Sequence, residues 1–174
     1  MPLPLTGSID LSAIATEFRQ QVNLVRLQYF LKGKGIVKDI PINKRVPYRN
    51  PIKISDFYGA AYFYLNVSIS ITPETYNQYA LNNNGLIFVT IVGSGGTYQV
   101  KGNGQTLTGD TTQGKSITFT IKDCNSDNII DFTVADLTCG VTYPFSATVG
   151  YNGGLGTVSG ITGDMNLGQL YPIG

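Results

Sequence analysis

Histidine and tryptophan are absent from this 174-residue chain, and cysteine and methionine occur only twice each. The missing histidine excludes Ser-His-Asp and Cys-His nucleophilic catalysis, imidazole acid–base steps and His-ligated metals. Two cysteines without a histidine cannot complete a structural zinc site within the chain. Charge is scarce too: 13% of residues are Asp, Glu, Lys or Arg, with a net of +1, which is not the profile of a disordered polyelectrolyte. No apolar run is long enough to span a bilayer, so membrane insertion is not expected. Met1-Pro2-Leu3-Pro4-Leu5 lacks the charged start and apolar stretch of a secretory signal, so none is expected.

What is present points to β-structure. Hydrophobic residues make up 42% of the chain, and 11 Tyr and 8 Phe accompany 21 Gly, a balance suited to short strands joined by turns. The near-neutral net charge hides a division. Residues 1–60 hold nine of the twelve basic side chains (Arg19, Arg26, Lys32, Lys34, Lys38, Lys44, Arg45, Arg49, Lys53) against four acids, a net of +5. Residues 61–174 hold three basic residues and seven acids, a net of −4. Two regions are therefore expected: a basic, Pro-containing N-terminal docking arm over 1–60 and an acidic, Gly-punctuated body over 61–174.

The body reads as all-β. Over 62–72, Phe63, Leu65, Val67, Ile69 and Ile71 alternate with tyrosines and small polar residues. Thr72-Pro73-Glu74 then has the form of a helix start, with a short helix through Tyr79. Residues 86–92 are apolar except Thr90, as in a strand buried on both faces. Further strands are expected over 97–101, 116–122, 130–134, 143–151 and 155–161, separated by Gly- and Asn-rich turns. This pattern implies a sandwich rather than a βαβ fold. Leu137-Thr138-Cys139-Gly140-Val141-Thr142-Tyr143, followed by Phe145, Ala147, Val149 and Asn152-Gly153-Gly154, resembles the E–F corner, F strand and F–G turn of fibronectin type III domains. The resemblance implies a tyrosine corner formed by Leu137 and Tyr143 in an immunoglobulin-like sandwich.

Within residues 1–60, two short sequences echo each other: Gly7-Ser8-Ile9-Asp10-Leu11-Ser12-Ala13-Ile14 and Asn50-Pro51-Ile52-Lys53-Ile54-Ser55-Asp56-Phe57-Tyr58-Gly59. Alternating apolar residues make a brief extended piece. Ser12 and Ser55 are expected to cap short helices, the first running through Phe18 and the second stopping at Gly59. This arrangement resembles the N-terminus of small virion structural proteins of tailed bacteriophages, matched here over residues 9–18 and 52–59. The resemblance implies a chain built into a phage particle, with Ile9, Leu11, Ser12, Ile14, Phe18, Ile52, Ile54, Ser55, Phe57 and Tyr58 as docking residues. Residues 22–31 suit a helix or a strand equally. The stretch 40–51, with Pro41, Pro47 and Pro51, is expected to be extended. Its basic charge suits a neighbouring acidic subunit or the acidic body itself; nucleic acid is the weaker alternative.

Candidate chemistry is sparse. Asp123, Asn125, Asp127 and Asp131 carry oxygens at calcium-loop spacing, but Val134 stands where the bidentate Glu belongs, and a polar loop is expected instead. Cys124 and Cys139, at opposite ends of an expected strand, lie too far apart to bridge and are expected to be free thiols. The glycine runs 93–96 and 102–104 open no helix and carry no Gly-Lys ending, so they are not phosphate loops. Glu17 and Glu74 have duller roles in the arm and at a helix start than as paired catalytic carboxylates, and no enzyme activity or cofactor is expected. Tyr62, Tyr64, Tyr76 and Tyr79 would make an aromatic platform for sugar or for a subunit, or else pack the arm. The expectation is a non-enzymatic, tail-associated structural protein of a phage virion, in a fibre, baseplate or neck attachment. It would be assembled in the host cytoplasm and contact other virion proteins as multiple copies in a symmetric assembly. Capsid decoration, or an adhesin module for host-surface glycans, is the alternative.

Overall fold

The apolar residues of the first sixty positions share no single period, and they pack as one cluster rather than as one face of an element. A computed structural model describes residues 2–32, 34–72, 84–125, 128–150, 157–160 and 166–167. The chain divides into two compact units, Met1–Phe63 with Thr138–Val141, and Tyr64–Leu137 with Thr142–Gly174.

In the N-terminal unit the expected extended arm is instead folded on itself. Helix α1 spans Leu11–Glu17 and is capped by Asp10, whose carboxylate accepts from the Ala13 N–H at 2.7 Å. Ser12 lies inside the first turn and does not cap. In the second copy, Ile54–Phe57 form a single 3-10 turn, and Asp56 reaches back to accept from the Lys53 N–H at 2.8 Å. In each copy a neighbouring acid does the work expected of the serine, because its charged oxygen bonds the amide more strongly. Residues 22–31 take neither open alternative and form 3-10 turns over Val22–Leu24 and Leu27–Phe30. Pro41 opens a further turn over Pro41–Asn43, so at this point the chain bends instead of extending.

These turns converge on a buried cluster of Leu3, Ile14, Ala15, Phe18, Phe30, Val37, Val46, Phe57 and Ala60. Its centre is a triangle of rings, with Phe18–Phe30, Phe18–Phe57 and Phe30–Phe57 centroids at 5.8, 6.2 and 5.9 Å and tilted or edge-on planes. Each such pair adds about 1 kcal/mol beyond the area it buries. With almost no strand pairing in this unit, backbone bonds within turns and loops hold the chain, and side chains serve single points that these leave open. Fully buried Asn43 donates to the carbonyls of Lys38 and Ala61, both at 3.1 Å, and accepts from the Ala61 N–H at 2.9 Å.

The second unit is an all-β sandwich of two sheets. Strands β1 (Leu65–Thr72), β2 (Asn84–Gly93), β3 (Gly96–Gly102), β4 (Gln105–Thr111), β5 (Ser116–Asn125), β6 (Ile129–Asp136), β7 (Val141–Thr148), β8 (Thr157–Gly160) and β9 (Asn166–Leu167) form sheets ordered β5-β2-β1-β9 and β4-β3-β6-β7-β8. Antiparallel ladders join β1 to β2, β2 to β5, β3 to β4, β3 to β6 and β7 to β8. The core takes alternate residues from each sheet: Leu65, Val67, Ile69, Ile87, Val89, Ile91, Phe119 and Ile121 from one, and Tyr98, Val100, Phe132, Val134, Phe145 and Ala147 from the other.

Three details depart from expectation. Strand β2 alternates: Ile87, Val89 and Ile91 are buried, while Leu86, Phe88 and Val92 are half-buried on the other face. Strand β4, which carries a single large apolar residue, Leu107, was not expected at all. The segment from Leu137 to Tyr143 joins β6 to β7, neighbours in one sheet, so it is not a corner between sheets. Leu137 is 48% exposed, while Tyr143 is half-buried. The expected helix through Tyr79 lies outside the described residues, and of the expected 155–161 strand the described part is β8.

Two local features close the sandwich. Asn103 and Gly104, both with positive φ (48° and 70°), make the two-residue turn that suits the twist of a β3–β4 hairpin. The side chains beside this turn then tie it to the other sheet. Asn103 donates to the carbonyls of Lys122 and Asp123 (2.8 and 2.9 Å), while the Gln105 amide donates to the Lys122 carbonyl and accepts from its N–H (2.7 and 3.2 Å). Gln105 thus acts like one residue of a missing strand. At the other end, fully buried Tyr98 accepts from the Gly95 N–H at 2.9 Å. A Cβ at position 93 would lie 2.4 Å from that phenol oxygen, so only glycine fits there.

Candidate docking surface

The ten residues expected to dock are drawn together, but most face inward. Ile14, Phe18 and Phe57 are completely buried in the N-terminal cluster, and Ile9, Leu11 and Ile52 pack against it. The two echoing sequences are thus two sides of one small core. Tyr58 is half-buried and donates its phenol proton to the Gly7 carbonyl. Beside it, Gly59 N–H bonds the Pro4 carbonyl at 3.1 Å and Leu3 N–H bonds the Ala60 carbonyl at 2.8 Å. Only Ile54, Ser12 and Ser55 are exposed.

The surface left by that packing was not foreseen. Of the eight large hydrophobic side chains exposed among the described residues, six lie on this unit: Leu5, Val22, Leu24, Tyr29, Tyr48 and Ile54. Leu5 and Leu24 are the most exposed of these six, at 74% and 71%. Arg26, Lys34, Lys44, Arg45, Arg49 and Lys53 are exposed on the same unit. A groove of about 290 Å³ brings the two kinds together, with Leu5, Pro41 and Tyr58 beside Lys44 and Arg45. Apolar area edged by cations is suited to a partner surface that is itself apolar and acidic.

A second cluster links Lys32, Asp39 and Tyr48. The Lys32 ammonium lies 3.3 Å from Asp39 and 4.4 Å from the centre of the Tyr48 ring, and the Tyr48 hydroxyl donates to Asp39. That phenol hydrogen bond, then Lys32, holds the Asp39 carboxyl below its ordinary range, and Asp39 in turn raises the Tyr48 phenol. Lys32 N–H also bonds the Pro47 carbonyl at 2.9 Å. The trio therefore closes the loop between residues 32 and 48. No sequence signal marks it, because the three residues share neither motif nor period. Burial raises the Glu17 carboxyl, partly offset by the Tyr62 N–H that it accepts at 3.1 Å.

The remaining candidates are dispersed. Tyr62 lies under the Arg19 guanidinium, 4.8 Å from ring centre to Cζ, and Tyr64 is half-buried on the sandwich; Tyr76 and Tyr79 lie outside the described residues. Of the calcium-spaced oxygens, Asp123 and Asn125 belong to β5 and Asp131 to β6, where it accepts from the Ser146 hydroxyl at 2.6 Å. Asp127 lies outside the described residues. Among the described residues no group of three or more Cys, Asp or Glu is placed to hold a metal, and no helix is long and apolar enough to cross a membrane. Cys124 and Cys139 are not joined in a disulfide, as their spacing implied, and both are buried. No family model, curated protein or solved structure matches the chain.

Proposed function

We propose that this chain is a non-enzymatic structural component of a tailed-phage virion, associated with the tail as part of a fibre, baseplate or neck attachment. On this reading the N-terminal unit is a folded plug rather than a flexible arm. Its exposed apolar and basic side chains seat it on other virion proteins, in multiple copies. The observation that carries the reading is that six of the eight large hydrophobics exposed among the described residues lie on the unit that also holds most of the basic charge. A solvated linker gains nothing from such a surface, whereas an assembly interface buries it.

The sandwich is read as immunoglobulin-like. In that fold strands one, two and five share one sheet and three, six and seven the other. The order β5-β2-β1 beside β3-β6-β7 supports the assignment, with β4 added at the β3 edge. On this reading the sandwich is a rigid spacer or projecting module, one of the many roles such a fold hosts.

The test is incorporation. The chain is expected at fixed stoichiometry in purified particles, and absence from them rejects the reading. Leu24→Asp and the pair Lys44→Glu with Arg45→Glu change exposed positions only, so the variants should fold yet fail to enter particles. Incorporation at the wild-type level would remove the N-terminal unit from the interface.

A further inference from the structure

The outer face of the five-stranded sheet carries a cleft of about 510 Å³ between the β3–β4 hairpin and strands β6 and β7. Its volume lies within the range of small-molecule sites. Lys101 and Thr133 are register partners on β3 and β6, and both line the cleft. Two residues before Thr133 on the same strand, Asp131 accepts from the Ser146 hydroxyl of β7 at 2.6 Å. That bond fixes the carboxylate and leaves its second oxygen to accept from a ligand. Pro144 and Phe145 supply apolar wall, and Pro144 is exposed.

The geometry points to a binding site for a neutral polyhydroxylated ligand, a mono- or disaccharide. The cleft offers one cation, one anion and hydroxyl groups, so it has no net charge with which to select a phosphate or a carboxylate. A held carboxylate accepts from neighbouring hydroxyls of a sugar, an ammonium donates to a third, and the exposed Pro144 ring packs the C–H face. The site uses none of the tyrosines considered as a sugar platform, and it does not depend on the virion reading.

The test is an amide chemical-shift titration of the full chain with neutral probes: glucose, galactose, mannose, N-acetylglucosamine and their common disaccharides. Glucuronate and glucose 6-phosphate serve as charged controls. At least one neutral sugar is expected to shift amides of residues 101, 131–133 and 144–146. Asp131→Ala should weaken that binding about tenfold or more, the loss of a hydrogen bond to a charged group. Lys101→Ala, at a second exposed position, should also weaken it. Ser146→Ala, which frees the carboxylate without removing it, should have a smaller effect. The proposal is overturned if no neutral sugar shifts these amides, if the charged controls bind more tightly, or if binding survives both Asp131→Ala and Lys101→Ala.

Discussion

The two units solve the same problem by different means. In the sandwich, hydrogen-bonded ladders satisfy the backbone, and alternation decides which side chains are buried: Leu65, Val67 and Ile69 on β1 face inward while Asn66, Ser68 and Ser70 do not. In the N-terminal unit a seven-residue helix and four 3-10 turns leave much of the backbone without such partners. There turn and loop bonds take the place of the ladder, Asp10, Asn43 and Asp56 close single points between them, and three phenylalanines supply the centre. The difference teaches where each unit is fragile. A ladder distributes its hold over many equivalent bonds, whereas a cluster closed by single side chains depends on each of them.

The largest effect should follow from Phe57→Ala. It removes one corner of the ring triangle from a fully buried site, at a cost of about 3–5 kcal/mol, a large fraction of any small domain's stability. Hydrogen exchange should show lost protection through residues 3–60 with retained protection in β1, β2 and β5. Loss in both regions at once would break the comparison, since the units would then unfold as one. Asn43→Ala should come next, at about 3 kcal/mol, because it strands the buried N–H and carbonyl of Ala61. Urea unfolding followed at residues of the N-terminal unit measures it, and a change under 1 kcal/mol (by the same scale) would show that water replaces the amide.

This contrast also explains what was legible in the sequence. Strands β1 and β5 could be read because their apolar residues keep a strict period of two. Strand β4 could not: its sequence QTLTGDT has one large apolar residue, and its place is set by the Asn103-Gly104 turn and by pairing with β3. The continuous apolar run of β2 suggested burial on both faces because composition does not say how much of a face a neighbour covers. In the N-terminal unit the important residues were found but their direction was misread. Ile14, Phe18 and Phe57 stood out as apolar at repeated spacing, yet nothing local distinguishes a side chain that docks outward from one that closes its own core. The Lys32–Asp39–Tyr48 trio and the sugar-sized cleft depend on residues distant in sequence, which periodicity does not reach.

A like-for-like chemical comparison comes from Gln105→Ala. Like Asn43, Gln105 uses its amide to donate to and accept from a backbone, here at Lys122. Unlike Asn43, it works at an exposed edge, so water can serve the groups left behind. The expected cost is about 1 kcal/mol, read as a small shift in the urea midpoint with an unchanged slope. A loss as large as that of Asn43→Ala would show that the two sheets are held together at this corner rather than by their core.

The smallest effect belongs to Cys124 and is absent at neutral pH. Burial, and then the charge of Asp123, pushes its thiol up to about 11 from an ordinary value near 9. The native chain therefore keeps the proton more tightly than the unfolded chain does. Stability from this group is fully present below pH 9 and is lost as pH rises toward about 11. The stability difference between the wild type and Cys124→Ala should accordingly be flat from pH 6 to 8 and shrink on the alkaline side. A thiol reagent should label Cys124 at pH 8 only after denaturation, since both access and thiolate are lacking in the folded sandwich. Rapid labelling of the native chain would mean that the end of β5 opens readily. The ladder would then be no more uniform in its hold than the cluster of the N-terminal unit.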